Sequence, residues 1–410
     1  MAGVILPDAP WRHSAGLGLL CRRLDSESGM TRLVGGAVRD GLAEQPVKDI
    51  DLATRFSPQE VIKRLEAAKI KVIPTGLAHG TVTAVLSSGP VEITTLRRDV
   101  ATDGRHATVA FTDDWQEDAA RRDFTINALS ADPFTGEVFD YFGGTDDLSK
   151  GRVTFIGDPF QRIAEDHLRI MRFFRFHARY GRGAPDSGAI TACAARANDL
   201  MALSRERIAD ELIKILALPD PGGIIRLMIG QGIFKPVLPE ISDAAPMIRL
   251  IAREADAGIS GDPLRRLAAL FVADVAVAEE IAARLKLSNA KRKRLACAAA
   301  RMAEDWHHPK ALAYRVGYEG AVDRLLLMES NARVDAAWGL DQTLLEQRGL
   351  RALAGWSVPP FPLSGGAIVA RGVNAGPDVA RILKAVERQW VEEGFPDKAR
   401  VNAIADALTR

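Results

Sequence analysis

The stretch "VKDIDLAT", residues 47–54, constrains the fold more than any other, because it places two acids in a strand-like apolar run. Side chains at i and i+2 of a strand point to the same face. Asp49 and Asp51 are therefore expected side by side, with Ile50 and Leu52 turned towards a core. Two like charges on one face repel unless solvent or a cation offsets them. Mg2+ prefers oxygen ligands and is usually held by one or two carboxylates plus substrate phosphates. A solvated strand edge is the plainer alternative, and for an isolated D-x-D the commoner one.

The context upstream shifts that balance. "LVGGAVRD", residues 33–40, reads as a strand, a Gly-Gly turn and a helix start. Backbone N–H groups of Gly35, Gly36 and the first helical turn form an anion site. Arg39, one turn in, can reach the same anion. Alone, the pair of glycines is only a tight turn. A phosphate cradle followed by a two-acid strand is what nucleotidyl transfer needs. One element holds a triphosphate, and the other holds metal ions that activate a hydroxyl and stabilise departing pyrophosphate.

The periodicity changes near residue 155. Before it, strands are expected at "TRLVG", "DIDLA", "KVI", "TVTAVLS" and "VEITT", helices from Gly36 and from the "SPQE" cap at Ser57, and a hairpin over 133–144. After it, the pattern is almost entirely helical. "PFQRIAEDHLRIMRFFRFHARY" puts Ile163, His167, Ile170, Met171, Phe174 and Ala178 on one face of a single helix. "SRERIADELIKILAL" is a second helix with a serine cap. A chain of 410 residues exceeds one ordinary core. The expected division is an N-terminal extension over 1–27, a catalytic head over 28–150, a helical neck over 151–218 and a helical body and tail over 219–410.

The motifs in this order resemble the class II tRNA nucleotidyltransferases (CCA-adding enzymes) and bacterial poly(A) polymerases. "LVGGAVRD...KDIDLAT" is similar to their head signature, "HGTVTAVL...VEITTLRRD" to the next strand pair and "TDGRHATVAF" to a mobile loop. "DAARRDFTINAL" resembles a ribose-binding motif, and "FDYFGGTDDL" a head–neck hinge. "EDHLRIMRFFRF" resembles a base-reading motif, and "ERIADELIKIL" a neck helix. The resemblance is close over roughly residues 30–216 and thins beyond. It implies an α+β chain: a polymerase-β-like nucleotidyltransferase head with a small mixed sheet, followed by an all-α neck, body and tail. It also implies two Mg2+ ions during catalysis, replaceable by Mn2+, with CTP, ATP and tRNA as substrates. "PTGLAHGTVTAVL" is similar to the CCA-adding version rather than to the more arginine-rich segment of poly(A) polymerases. No His-Asp dipeptide occurs, so the HD phosphohydrolase appended in some relatives is expected to be absent.

Each motif also carries a physical reading. Glu92 in "VEITT" is a candidate third carboxylate if its strand neighbours the aspartate strand. Arg121 and Arg122 suit phosphates through their planar forks, and Asp123 and Asn127 can bond ribose hydroxyls. A capped helix start with a local ion pair is the alternative. Asp166 and Arg169, at i and i+3, would share a helix face. Aspartate accepts from an exocyclic amine and arginine donates to a ring acceptor. Cytosine and adenine present that pair, whereas uracil and guanine do not. A surface ion pair, most simply Glu165 with Arg169, is the bland alternative. Arg162, Arg169, Arg172, Arg175 and Arg179 are expected along one side of the helix. With Lys291 and Arg292 of "KRKR", they are candidate RNA contacts.

Net charge of +1 leaves RNA binding to such local patches. The three cysteines have no metal or disulfide spacing, which favours a reducing cytoplasm. No apolar stretch suggests a membrane span. A noncatalytic tRNA-binding protein on a decayed scaffold is the rival of another class, marked by loss of an aspartate; both are present.

Overall fold

The computed structural model describes residues 3–102, 107–328 and 349–409. They form two compact units, Met1–Pro239 and Glu240–Arg410. The Pro/Gly stretch at 219–223 therefore lies inside the first unit rather than between units.

The first unit is built on a seven-stranded mixed sheet in the order β3-β4-β5-β2-β1-β8-β9. Its strands are β1 (Thr31–Val34), β2 (Ile50–Thr54), β3 (Lys71–Gly76), β4 (Thr81–Leu86), β5 (Gly89–Thr95), β8 (Ser130–Ala131) and β9 (Val138–Phe139). Strands β6 (Arg97–Thr102) and β7 (Ala107–Phe111) pair separately as a ribbon. The tip of the segment expected to be a mobile loop, residues 103–106, lies outside the described residues. Alternation places Leu52, Val82, Ala84, Val91 and Ile93 on one buried face. Helices α1 (Leu17–Arg23), α2 (Gly36–Leu42) and α3 (Pro58–Ala67) supply Leu17, Leu20, Val38, Val61 and Leu65 to the same core. Ser57 caps α3, accepting from the Glu60 amide at 3.3 Å.

The segment read as an N-terminal extension belongs to this core. The Leu6 amide donates to the Gly136 carbonyl at 2.7 Å and the Val138 amide to the Val4 carbonyl at 2.9 Å, so the segment runs beside β9. Arg12 is buried and donates to the Leu6 carbonyl at 3.0 Å.

Next come α4 (Trp115–Ala120), α5 (Gly144–Lys150), α6 (Pro159–Glu165), α7 (Arg169–Tyr180), α8 (Ser187–Ala195), α9 (Arg205–Leu216) and α10 (Gly222–Gly230). The single helix expected over 159–180 is in fact two. Asp166 has extended backbone angles, φ −151° and ψ 106°, and its side chain accepts from the Leu168 amide at 3.1 Å. An aspartate that bonds its own backbone two residues on competes with the helical ladder, and here the ladder yields. Asp166 and Arg169 therefore do not share a helix face. Ser204 precedes α9, but its hydroxyl makes no cap bond. Phe173, Phe174 and Phe176 are core residues; Phe173 stacks on Phe155 at 5.7 Å, and Phe124 lies 4.8 Å from Phe155.

The second unit is helical: α11 (Ala245–Asp256), α12 (Pro263–Ala268), α13 (Val275–Arg284), α14 (Asn289–Ala299) and α15 (Pro309–Leu327), then Gly365–Val369, Pro377–Glu392 and Lys398–Thr409. A buried charge cluster ties four of these helices together. Arg265 donates to Glu254 and Asp323, both at 2.8 Å, and Arg294 donates to Asp323 at 2.7 Å. Removing one carboxylate from such a cluster leaves buried cations short of an anion, at a cost of roughly 3–5 kcal/mol. Asp323→Ala should lower the stability of this unit by about that amount in urea titrations followed by circular dichroism; a loss within about 0.5 kcal/mol, typical of a surface site, would show that the cluster does not hold the helices.

Candidate active site

The Gly-Gly turn joins β1 to α2. Gly35 has φ +62°, a backbone conformation that favours glycine, and a Cβ there would stand 2.8 Å from Nη1 of Arg122, whose side chain would have to move aside. Its own amide donates to the Leu129 carbonyl at 3.0 Å. An anion at this turn is thus left with the amides that follow.

Strand β2 begins at Ile50, so Asp49 sits just ahead of it, exposed, while Asp51 is half-buried. Parallel pairing with β5 sets Asp51 directly across from Glu92. Burial, then the Glu92 charge, push the Asp51 carboxyl above the ordinary range, with Asp49 adding to the rise and Arg122 opposing it. Three acids crowd one end of the sheet. Among the described residues, no group of three or more His, Cys, Asp or Glu is gathered as a metal site. The donor set that remains, Asp49 and Asp51 open to phosphate oxygens, fits Mg2+.

Asp51 lines a cavity of about 300 Å3 with Gly35, Gly36, Arg39, Arg122, Asp123, Asn127, Asp166, Arg169, Arg172 and Phe176. Asp49, Glu92, Arg121, Arg162, Arg175 and Arg179 do not line it; the other candidate site residues of the head and neck meet there. Four of them form one hydrogen-bonded chain. Arg39 donates through Nη1 to Oδ1 of Asn127. Asn127 donates through Nδ2 to Oδ1 of Asp123 at 2.9 Å, and Arg172 donates through Nε to Oδ2 of Asp123 at 2.6 Å. Burial alone would raise the Asp123 carboxyl; Arg172, the Asn127 bond and Arg169 hold it below the ordinary range. Arg39 also grips Asp40 through Nε at 2.8 Å and lies 4.5 Å from the Tyr180 ring. Most donors of Arg39 are therefore engaged inside the protein.

Arg121 and Arg122 share Asp118, at 3.0 and 3.3 Å. The Arg121 carbonyl accepts from Arg162 at 2.6 Å and from Arg169 at 3.2 Å, which docks the helix break onto the "RRDFTIN" segment. Arg169 also pairs with Glu165 at 2.5 Å. The simple ion pair is real, and Arg169 reaches the cavity as well. Asp166 is held by Arg207 of α9 at 2.9 Å. Sequence reasoning missed Arg207 as a partner because it lies 41 residues away with no periodic relation to Asp166. Asp118 carries no signal that would single it out, and Arg162, expected to be an RNA contact, is instead buried against the Arg121 carbonyl.

The basic side chains divide differently from expectation. Arg175 pairs with the buried Glu211 at 2.6 Å, and Arg172 with Asp123, so both hold the fold together. Arg179 is exposed and approaches Asp40 only at 3.5 Å. Of "KRKR", Lys291, Arg292 and Lys293 are exposed, Arg292 lying 3.2 Å from Glu279, while Arg294 joins the buried cluster.

A family model described as "Poly A polymerase head domain" matches residues 31–154, and one described as "Probable RNA and SrmB- binding site of polymerase A" matches 188–245. The chain is 35% identical to "CCA tRNA nucleotidyltransferase 1, mitochondrial" of Mus musculus, across 95% of this chain and 89% of that one. It is 31% identical to the "CCA-adding enzyme" of Streptococcus sanguinis, across 89% and 90%. Its fold matches the crystal structure of the Bacillus stearothermophilus CCA-adding enzyme in complex with CTP, at a TM-score of 0.71 and 25% identity over 93% and 94% of the two chains. Likeness of sequence along nearly the whole of both partners, on top of a shared fold, places this chain in the family of CCA-adding tRNA nucleotidyltransferases.

Proposed function

We propose that this chain adds or repairs the 3'-terminal CCA of tRNA from CTP and ATP, without a template and with release of pyrophosphate. The observation that carries the reading is one cavity in which the glycine turn, Asp51, Asp166 and Arg169 converge. The amides after Gly35, with Arg122 beside them, receive the triphosphate. Asp49 and Asp51 would hold Mg2+, two ions during transfer and replaceable by Mn2+, which would supply Lewis-acid activation of the hydroxyl and neutralise charge on the leaving group. Glu92 keeps negative charge against Asp51. Arg39, Asn127, Asp123 and Arg172 hold the ribose end of the site in place. Asp166 accepts from the exocyclic amine of cytosine or adenine, and Arg169 donates to the neighbouring acceptor. Arg179, Lys291 and Arg292 are the arginines and lysines we assign to RNA phosphates.

No helix of the described residues is long and apolar enough to cross a membrane. The compartment we propose is the cytoplasm, supported by cysteines that are all unpaired.

Asp49→Asn and Asp51→Asn should each abolish transfer to a tRNA transcript ending at the discriminator base. The same assay with single nucleotides separates CCA addition from poly(A) addition by product length. Asp51→Asn should also stabilise the fold. Its carboxyl titrates higher in the folded state than the ordinary 3.8, so the native state binds its proton more tightly, and stability falls as pH rises through that window. The mutant should therefore melt above wild type at pH 7 in EDTA, and the gap should close below the ordinary carboxylate range. An unchanged melting temperature at pH 7 contradicts the crowding described.

Transfer should require Mg2+ or Mn2+ and survive a zinc-selective chelator in excess Mg2+. Inactivation by that chelator refutes the oxygen-ligand site.

Asp166→Ala removes the acceptor for the amine. Loss of a bond to a charged group, roughly 1.5–3 kcal/mol, should lower CTP and ATP use on the order of ten- to a hundredfold and relax rejection of UTP. The kcat/KM values of all four nucleotides on one tRNA decide the point; an unchanged CTP:UTP ratio rules out base reading.

A further inference from the structure

The motif "LVGGAVRD" ends on Asp40, a residue that none of the steps above uses. Asp40 is buried on α2 next to Arg39. Its Oδ1 accepts from Arg39 Nε at 2.8 Å and lies 2.7 Å from Arg39 Nη2. That contact is not automatic. Consecutive residues of a helix do not face each other, so both side chains must be held for the pair to meet. The holder comes from the last turn of α7. Tyr180 is 8% exposed, and its hydroxyl donates to the same Oδ1 of Asp40. Its ring lies 4.5 Å from the Arg39 guanidinium, with the Phe176 ring at 5.0 Å. Burial pushes the Tyr180 hydroxyl up to about 12, with Arg39 opposing the rise and Asp40 adding to it, so the group donates throughout the neutral range. The second oxygen of Asp40, Oδ2, is approached by Arg179 at 3.5 Å. Asp40 therefore stands between two arginines, Arg39 on the nucleotide cavity and the exposed Arg179.

Resting on the nucleotidyltransfer reading above, we propose that Tyr180 is a positioning residue for the incoming nucleotide: through Asp40 it fixes the Arg39 guanidinium in the wall of the nucleotide cavity. Tyr180 does not itself line that cavity. It lines a separate one of about 720 Å3, with Arg179 and Arg182. A guanidinium carries five N–H donors, and Asp40 and Asn127 do not use them all. Those left over on Arg39 serve an oxygen of the nucleotide. A loose arginine would have to be frozen at each binding event, which subtracts from affinity. The Tyr180 hydroxyl also decides which arginine Asp40 serves. It draws the carboxylate to the Arg39 side, and without it Asp40 is free to turn to Arg179. The effect falls on nucleotide affinity and not on base choice. Arg169 begins the helix that Tyr180 ends, roughly 16 Å away along its axis at 1.5 Å per residue.

The test uses the full chain, Mg2+ and tRNA transcripts ending at the discriminator base for CTP or after CC for ATP. Tyr180→Phe keeps the ring over Arg39 and removes only the hydroxyl. KM for CTP and for ATP should each rise about tenfold, while kcat, KM for the transcript and the CTP:UTP preference stay as in wild type. A mere loss of folded protein would lower kcat and leave KM alone, so the split separates positioning from stability. Asp40→Asn should raise the nucleotide KM at least as far. Adding Tyr180→Phe to it should raise KM little further, because residues that act through one contact are not additive. Unchanged nucleotide KM in Tyr180→Phe overturns the proposal. So does an equal rise in transcript KM, or single effects that multiply in the double variant. If Asp40→Asn does not fold, Tyr180→Phe alone decides. Direct titration of CTP into each chain reads the same rise as a dissociation constant. Wild type that binds CTP but extends no RNA defeats the functional reading instead, and the ratio of dissociation constants still decides the role of Tyr180. Wild type that binds no CTP overturns both.

Discussion

The hydrogen-bonded chain from Arg39 through Asn127 and Asp123 to Arg172 is what makes the first unit one working object. It starts on the helix of the glycine turn, crosses the segment after α4 and ends on α7. Each link is buried or half-buried, and each uses a polar atom that would otherwise be costly to desolvate. The glycine turn and the start of α7 therefore cannot drift apart without breaking it. The aromatic layer of Phe124, Phe155, Phe173 and Phe176 backs the chain with apolar contact along the same line.

Much of this was legible in the sequence, for reasons that can be named. Strand alternation identified β1, β2, β4 and β5, and the i/i+2 rule set the two aspartates apart as unusual. The neighbouring position of Glu92 followed from strand pairing. What could not be read was partner choice. Arg175 looks like any other arginine of α7, yet Glu211 captures it. Asp123 and Asn127 looked like ribose ligands and prove to be bonded first to Arg172 and Arg39. Helical periodicity ran straight through Asp166, because periodicity counts apolar positions and is blind to a side chain that bonds its own backbone. The family resemblance supplied the order of the motifs, and the geometry brings residues from several of them to one cavity.

In the second unit the same residue type serves opposite ends. Consecutive basic residues at 291–294 are split by the turn of α14: three face solvent, and Arg294 is held by Asp262, Glu319 and Asp323. The solvated members feel the full screening of salt, whereas Arg294, half-buried among its three acids, feels less. Any RNA contact made by the exposed members, as proposed above, and the integrity of this unit would therefore respond to ionic strength independently.

The break at Asp166 has one more consequence. A residue on a continuous helix inherits its orientation from the helix; Asp166 does not. Its carboxylate is aimed by the Leu168 amide and by Arg207, and Arg169 by Glu165 and two backbone carbonyls. If Asp166 and Arg169 read the base as proposed, these few bonds set the standard against which a nucleotide is compared. On that proposal accuracy becomes a matter of stiffness: one base is told from another only as sharply as this short unwound joint resists bending.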